Sequence, residues 1–272
     1  MNLVLTEKRG ATLLVTLNRP ERRNAFDLEM RKAIGEAVLA ARDDAEVKAV
    51  VLTGSGGAFC AGGDLSALSS QERPAFGDRE RIRRLHPWFR ELVHLEKPVI
   101  AAVEGPAFGA GFNLALAADF ILGASSARFC AVFGRIGLVP DLGGFFLLPR
   151  IVGLQRAKEL VFSAREVGAE EALRLGILYA VHPAERLLEE ALALAARFHR
   201  ASTEAIGIAK SVLTRSFNLD YDTLAELEAS AQALALHSEY HKDAVARFLE
   251  KKPLAFRWDS GKAPATRKKP KP

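Results

Sequence analysis

Cysteine is scarce in this chain of 272 residues: Cys60 and Cys130 are the only two. Two leave room for one bridge and exclude a disulfide framework. Neither stands in a Cys/His spacing that suits zinc. The six histidines are also spread out. His237 and His241 come nearest to a ligand pair, at i, i+4 on a predicted helix. They read either as one solvated helix face or as part of a metal site. No Glu directly follows the first histidine, as it does in a metalloprotease helix.

Long apolar runs are absent as well. No stretch reaches transmembrane length, and MNLVLTEKRGATLLV lacks the basic start, apolar stretch and small-residue cleavage site of a signal peptide. The expectation is a soluble cytoplasmic protein with no membrane partner. Acidic residues are missing from the last twelve positions, GKAPATRKKPKP. Their five positive charges, Lys262, Arg267, Lys268, Lys269 and Lys271, equal the whole formal net charge of +5. The rest is close to neutral and carries no nucleic-acid footprint. The tail reads as a disordered solubilising end or as a weak phosphate contact.

What is present begins with enough apolar residues, 49% of the chain, to bury a sizeable core. Leu3–Glu7 and Thr12–Leu17 predict a hairpin around Arg9-Gly10. Asp27 is placed to cap a helix with Leu28, Ile34, Val38 and Leu39 on its apolar positions. Lys48–Thr53, Pro98–Val103 and Phe120–Gly123 are short apolar runs, read as buried strands. The first is followed by a glycine-rich loop, a short helix start at Asp64–Leu68, and a polar, mobile loop at Ser69–Asp78. A helix then runs to about His94. The second strand is followed by another glycine-rich loop and a buried helix over Ala110–Ala117. Strand, glycine-rich loop and helix thus occur twice. Such units suit an α/β spiral of sheet turns with helices outside. The second half is helical by periodicity, over Gln155–Phe162, Ala169–Leu175, Ala184–Phe198, Thr203–Arg215 and Tyr221–Phe248.

The two loops carry the chemical signal. TGSGGAFCAGGDL, Thr53–Leu65, has five glycines in thirteen residues, which allows positive φ and close backbone approach. EGPAFGAGFNLAL, Glu104–Leu116, repeats the layout. Two convergent backbone N–H donors make an oxyanion hole. Spacing alone also allows tight packing without function.

In combination these segments go further. NRPERRNAF, TGSGGAFCAGGDL, KPVIAAVEGPAFGAGFNLALAAD, GLVPDLGGFFLLPRIVG and GAEEALRLGILYAV occur in this order. The chain resembles the enoyl-CoA hydratase/isomerase (crotonase) family over nearly all of residues 1–256. The resemblance implies a crotonase-type spiral of repeated ββα units over residues 1–200. A helical trimerisation region over 201–260 and the basic tail 261–272 complete the chain. It implies an acyl-CoA thioester substrate, a homotrimer or dimer of trimers, and no cofactor beyond the coenzyme A of the substrate. The oxyanion donors would be the N–H groups of Gly63 and Ala110. Arg22, Ala25, Phe26, Ala61, Gly62, Asp64 and Leu65 would line the CoA. Lys251 and Lys252 would lie near its phosphates, including those of a neighbouring subunit.

A proton leaving the acyl chain puts negative charge on the thioester oxygen, and each fixed donor is worth about 3 kcal/mol in analogous holes. The two glutamates that serve family hydratases are replaced here by Asn113 and Phe133, neither of which is a general base. Asp141, in VPDLGG, is the remaining acid. It matches an aspartate of isomerases in the family and the nucleophile of 4-chlorobenzoyl-CoA dehalogenases. The dehalogenases have Trp where Phe133 stands and use a histidine that neither His86 nor His94 matches. The plain alternative is that Asp141 caps a helix beginning near Leu142. Phe133, Phe145 and Phe146 line the carboxylate or fill a core. An enoyl-CoA isomerase with Asp141 as its single base is the leading expectation. The alternatives are a hydratase and a catalytically silent acyl-CoA-binding protein.

Overall fold

The computed structural model describes residues 2–64, 66 and 74–258. Most of the short helix start expected over 64–68, Leu65 included, residues 69–73 of the expected polar loop and the basic tail lie outside them; the rest of that loop is helical from Ala75. β1 (Val4–Arg9) and β2 (Thr12–Leu17) form the expected hairpin, with Gly10 at φ 61° in the turn. The Asp27 carboxylate accepts a 2.8 Å bond from the Met30 N–H and caps α1 (Leu28–Asp43). The far end of α1 is closed by buried Lys97, whose ammonium donates to the carbonyls of Ala41, Arg42 and Asp44.

The remaining strands are β3 (Ala49–Gly54), β4 (Val99–Val103), β5 (Pro106–Phe108), β6 (Phe120–Ala124), β7 (Arg128–Cys130), β8 (Glu166–Gly168) and β9 (Ala180–His182). A six-stranded sheet runs β1-β2-β3-β4-β6-β9, parallel beyond the hairpin, and a second sheet runs β5-β7-β8. From β4 to β7 the chain alternates between the two sheets, and β9 returns to the first after β8; this makes the spiral. Residues of β3 show the period of two that burial on both faces requires. Val50 and Leu52 join one apolar cluster with Met30, Ile34 and Phe59. Ala49 and Val51 join another with Leu187, Ala191 and Leu194 of α8 (Ala184–Ala196).

Three helix boundaries differ from expectation. The helix predicted to end near His94 is two, α2 (Ala75–Arg83) and α3 (His86–Val93), with Pro87 in the first turn of the second. The helix predicted over Tyr221–Phe248 is also two, α10 (Tyr221–Leu236) and α11 (Glu239–Leu249), because the Ser238 hydroxyl accepts from the His241 N–H and starts a new one. His237 therefore ends one helix, with Nδ1 2.8 Å from the Ala233 carbonyl, and His241 begins the next. The ligand pair on one helix face is lost. The third case is α5 (Gly144–Val152): Gly143, at φ 73°, stands at its N-cap and no side chain caps it. Asp141 is not a helix cap.

α4 (Ala110–Leu116), α6 (Leu154–Ser163), α7 (Ala169–Arg174) and α9 (Thr203–Arg215) complete the helices used below. No helix among the described residues is long and apolar enough to cross a membrane.

Candidate active site

The two glycine-rich loops are stitched together through their backbones. Cys60 N–H donates to the Pro106 carbonyl at 3.0 Å, and Phe108 N–H donates to the Cys60 carbonyl at 2.9 Å. On the other side the first loop pairs with the segment before α1: Phe26 N–H donates to the Gly62 carbonyl at 2.7 Å and Asp64 N–H to the Phe26 carbonyl at 2.9 Å. Contact this close needs glycine. A Cβ on Gly62 would come within 2.7 Å of the Phe108 carbonyl oxygen, and one on Gly111 within 2.3 Å of the Cys60 carbonyl oxygen. The point where Cβ of residue 62 would sit is 3.6 Å from the Ala110 nitrogen, so the loops meet where the predicted donors lie. Among the described residues, neither the Gly63 N–H nor the Ala110 N–H donates to any acceptor.

Both donors line a cavity of about 720 Å³ with Ala61, Gly62, Phe133 and Asp141. Its walls are mostly apolar, from Ile82, Phe108, Val132, Ile136, Leu138 and Val139. Asp141 is half-buried, and its Oδ1 is shut off from solvent with no hydrogen-bond partner among the described residues. Burial raises its pKa above the ordinary carboxylate value, opposed by the positive charges of Arg31 and Arg81 and then by His86. Its backbone is held: the Asn113 side-chain amide donates to the Asp141 carbonyl at 2.8 Å. Asn113, expected at the first hydratase-glutamate position, is thus occupied as a bracket for Asp141, a contact a carboxylate could not make as a donor.

The structure brings together Gly63, Ala110, Asp141, Phe133, Ala61 and Gly62. It does not bring all expected residues to this cavity. Phe26 and Asp64 line an adjoining groove, which shares Arg31 and Arg81 with the cavity. Asp64 is a latch: hydrogen bonds from Ser66, then the Arg19 guanidinium at 2.9 Å, hold its pKa at about 2. Arg19 also reaches Asp27 at 3.2 Å, tying the first loop to the start of α1. Arg22 is exposed in a 3-10 turn and Ala25 is buried beside it. Lys251 and Lys252 are exposed, and neither lines the cavity of its own chain; Lys252 pairs with Glu250 at 2.7 Å.

Other aromatics divide. Phe145 and Phe146 are on the cavity wall, 63% and 37% exposed, so they do not fill a core. Phe112 does, tilted against Phe129, while Phe76 is exposed and Trp88 lies on the adjoining groove. Both thiols are buried and free; burial pushes Cys60 up to about 12 and raises Cys130. They are packing groups.

Sequence reading missed four contributors. Arg31 and Arg81 look like solvated helix residues, yet both line the cavity, as does His86. Asn24 is fully buried at φ 55°, and its side-chain NH₂ donates to the carbonyls of Ser55 and Ala58, bracing the first loop. Only the Arg-Asn step within NRPERRNAF hinted at a tight turn there.

Known proteins share this sequence pattern and fold. The family model described as enoyl-CoA hydratase/isomerase matches residues 7–259. The chain is 36% identical to the 1,2-epoxyphenylacetyl-CoA isomerase of Escherichia coli (strain K12), over 94% of this chain and 98% of that protein. It is 35% identical to the short-chain-enoyl-CoA hydratase of Clostridium acetobutylicum, over 93% and 97%. A solved enoyl-CoA hydratase/isomerase from Cupriavidus metallidurans CH34 superposes with a TM-score of 0.90 at 41% identity, over 94% of this chain and 97% of that one. The alternating two-sheet spiral is therefore the crotonase fold, and the chain belongs to the enoyl-CoA hydratase/isomerase family.

Proposed function

We propose that this enzyme is an enoyl-CoA isomerase that shifts a double bond along the acyl chain with Asp141 as its only base. The observation that carries this reading is the half-buried carboxyl group of Asp141, its Oδ1 shut off from solvent and without a hydrogen-bond partner among the described residues, on the same cavity as two free backbone donors. The thioester oxygen accepts from the Gly63 and Ala110 N–H groups. Asp141 removes a proton from the α carbon, and the electron pair of that C–H bond passes into the enolate stabilised by the hole. The same carboxyl then returns the proton to the γ carbon as the double bond moves. The cycle is redox-neutral and uses no cofactor beyond the substrate's own coenzyme A. The bracket role of Asn113 and the apolar side chain of Phe133 support it, since neither supplies a second carboxylate. So does likeness to a relative named as an isomerase of a CoA thioester.

The CoA moiety would run along residues 22–26 and 61–65. The subunits would assemble as a trimer or pair of trimers, with Lys251 and Lys252 near a neighbour's CoA phosphates. Likeness to a hydratase favours a second reading, water addition with Asp141 handling the water. One experiment separates them. A 3-enoyl-CoA is expected to gain conjugated-thioester absorbance on incubation with the enzyme, and Asp141→Asn should slow this by about 10²–10⁴-fold with thioester binding retained. Crotonyl-CoA losing that absorbance at a comparable rate would instead establish hydration. Binding of both with no turnover would establish a silent acyl-CoA binder.

A further inference from the structure

Arg31 is out of place for a surface helix residue. It stands in the second turn of α1 and is half-buried. It lines both the catalytic cavity and the adjoining groove. Among the described residues its guanidinium has no hydrogen bond and no ion pair within 4.0 Å. Desolvation is the largest influence on it, and Asp141 is the strongest favourable charge that it feels, followed on the unfavourable side by Arg81. Asp27 and Cys60 also face it. Arg31 and Asp141 line the same cavity without forming an ion pair with each other.

The charges at this end of the cavity do not balance. Arg31, Arg79 and Arg81 line the cavity with two carboxyl groups, Asp78 and Asp141, and burial opposes the ionisation of Asp141. Arg81 has a partner, Asp78 at 3.1 Å; Arg31 does not among the described residues. A half-buried cation without an anion is costly, and a guanidinium fork matches a carboxylate with two parallel hydrogen bonds. We propose that Arg31 is a specificity residue for an acyl group bearing a carboxylate, so that the preferred substrates are CoA monothioesters of dicarboxylic acids. The proposal rests on the acyl-CoA reading above and deepens it. Arg81, tied to Asp78, adds field rather than a second fork.

The test uses two unreactive four-carbon thioesters, succinyl-CoA and butyryl-CoA, with dissociation constants measured by calorimetry. The wild-type enzyme is expected to favour succinyl-CoA by about tenfold or more. Arg31→Met should bring that ratio close to one. Arg31→Lys, which keeps the charge and loses the fork, should give an intermediate ratio and serves if the first variant folds poorly. The preference should persist with the matching pantetheine thioesters, which lack the CoA phosphates. A wild-type ratio near one, a ratio unchanged in Arg31→Met, or a preference that vanishes with pantetheine overturns the carboxylate assignment and leaves the acyl-CoA reading standing. Failure to bind either CoA thioester overturns both.

Discussion

At Asp141 burial works against ionisation. Its raised pKa means that the folded protein holds this proton more tightly than the unfolded chain does. The contribution to stability is therefore most favourable below the ordinary carboxylate pKa and is lost as pH rises through the raised value. Asp141→Asn removes the buried charge. Its melting temperature at pH 7 is expected to exceed the wild type's. The gap should close as pH falls towards ~3, below the unfolded value. A variant less stable than wild type at pH 7, measured by calorimetry, would show that the carboxylate is satisfied after all. If Asp141 is the base proposed above, the same sign governs activity: a base that must be ionised gives an acid limb whose inflection lies above the usual aspartate value. Arg31, Arg81 and His86 face this group and hold the inflection down. That Asp141 is an acid beside a proline and two glycines was legible from the motif VPDLGG. That its Oδ1 has no partner among the described residues, and that it caps nothing, was not, because both depend on where α5 starts.

At the scale of elements, the two free donors come onto one cavity because α4 and the first glycine-rich loop touch backbone to backbone. Gly111 is the tightest example, with room for no side chain against the Cys60 carbonyl. Gly111→Ala should force the two loops apart. The expected cost is about 1–3 kcal/mol of stability, seen as a lower denaturation midpoint, together with a fall in kcat as the Gly63 and Ala110 donors diverge. Full activity in a destabilised variant would separate packing from the hole. Glycine spacing announced loops able to approach closely; it did not say which glycine faces which carbonyl. Strands β3, β4 and β6 were readable within a residue or so because they are continuous apolar runs buried on both faces. β7, β8 and β9 were not, since three residues each leave no period to read. The break at Ser238 was hidden because the apolar pattern continues across it and the hydroxyl acts locally.

Over the whole molecule, burial is uneven. The two apolar clusters draw on the sheets and the helices up to α8. Within α9, α10 and α11 the only buried residue is Gly207, and Leu213, Tyr221, Leu234, Phe248 and Leu249 are exposed. Apolar surface on this scale suits subunit contact. Light scattering is expected to give a trimer or hexamer, and Phe248→Glu with Leu249→Glu to give smaller species; a monomeric wild type would defeat the assembly reading. By itself the sequence determined the family and the glycine-rich loops, because these are written in contiguous residues. Tertiary structure alone decided that Asn113 brackets Asp141, that Asp64 is a latch, and that Arg31 enters the cavity without a partner among the described residues. Those facts depend on which distant segments meet, and hydrogen bonding, desolvation and charge act through space.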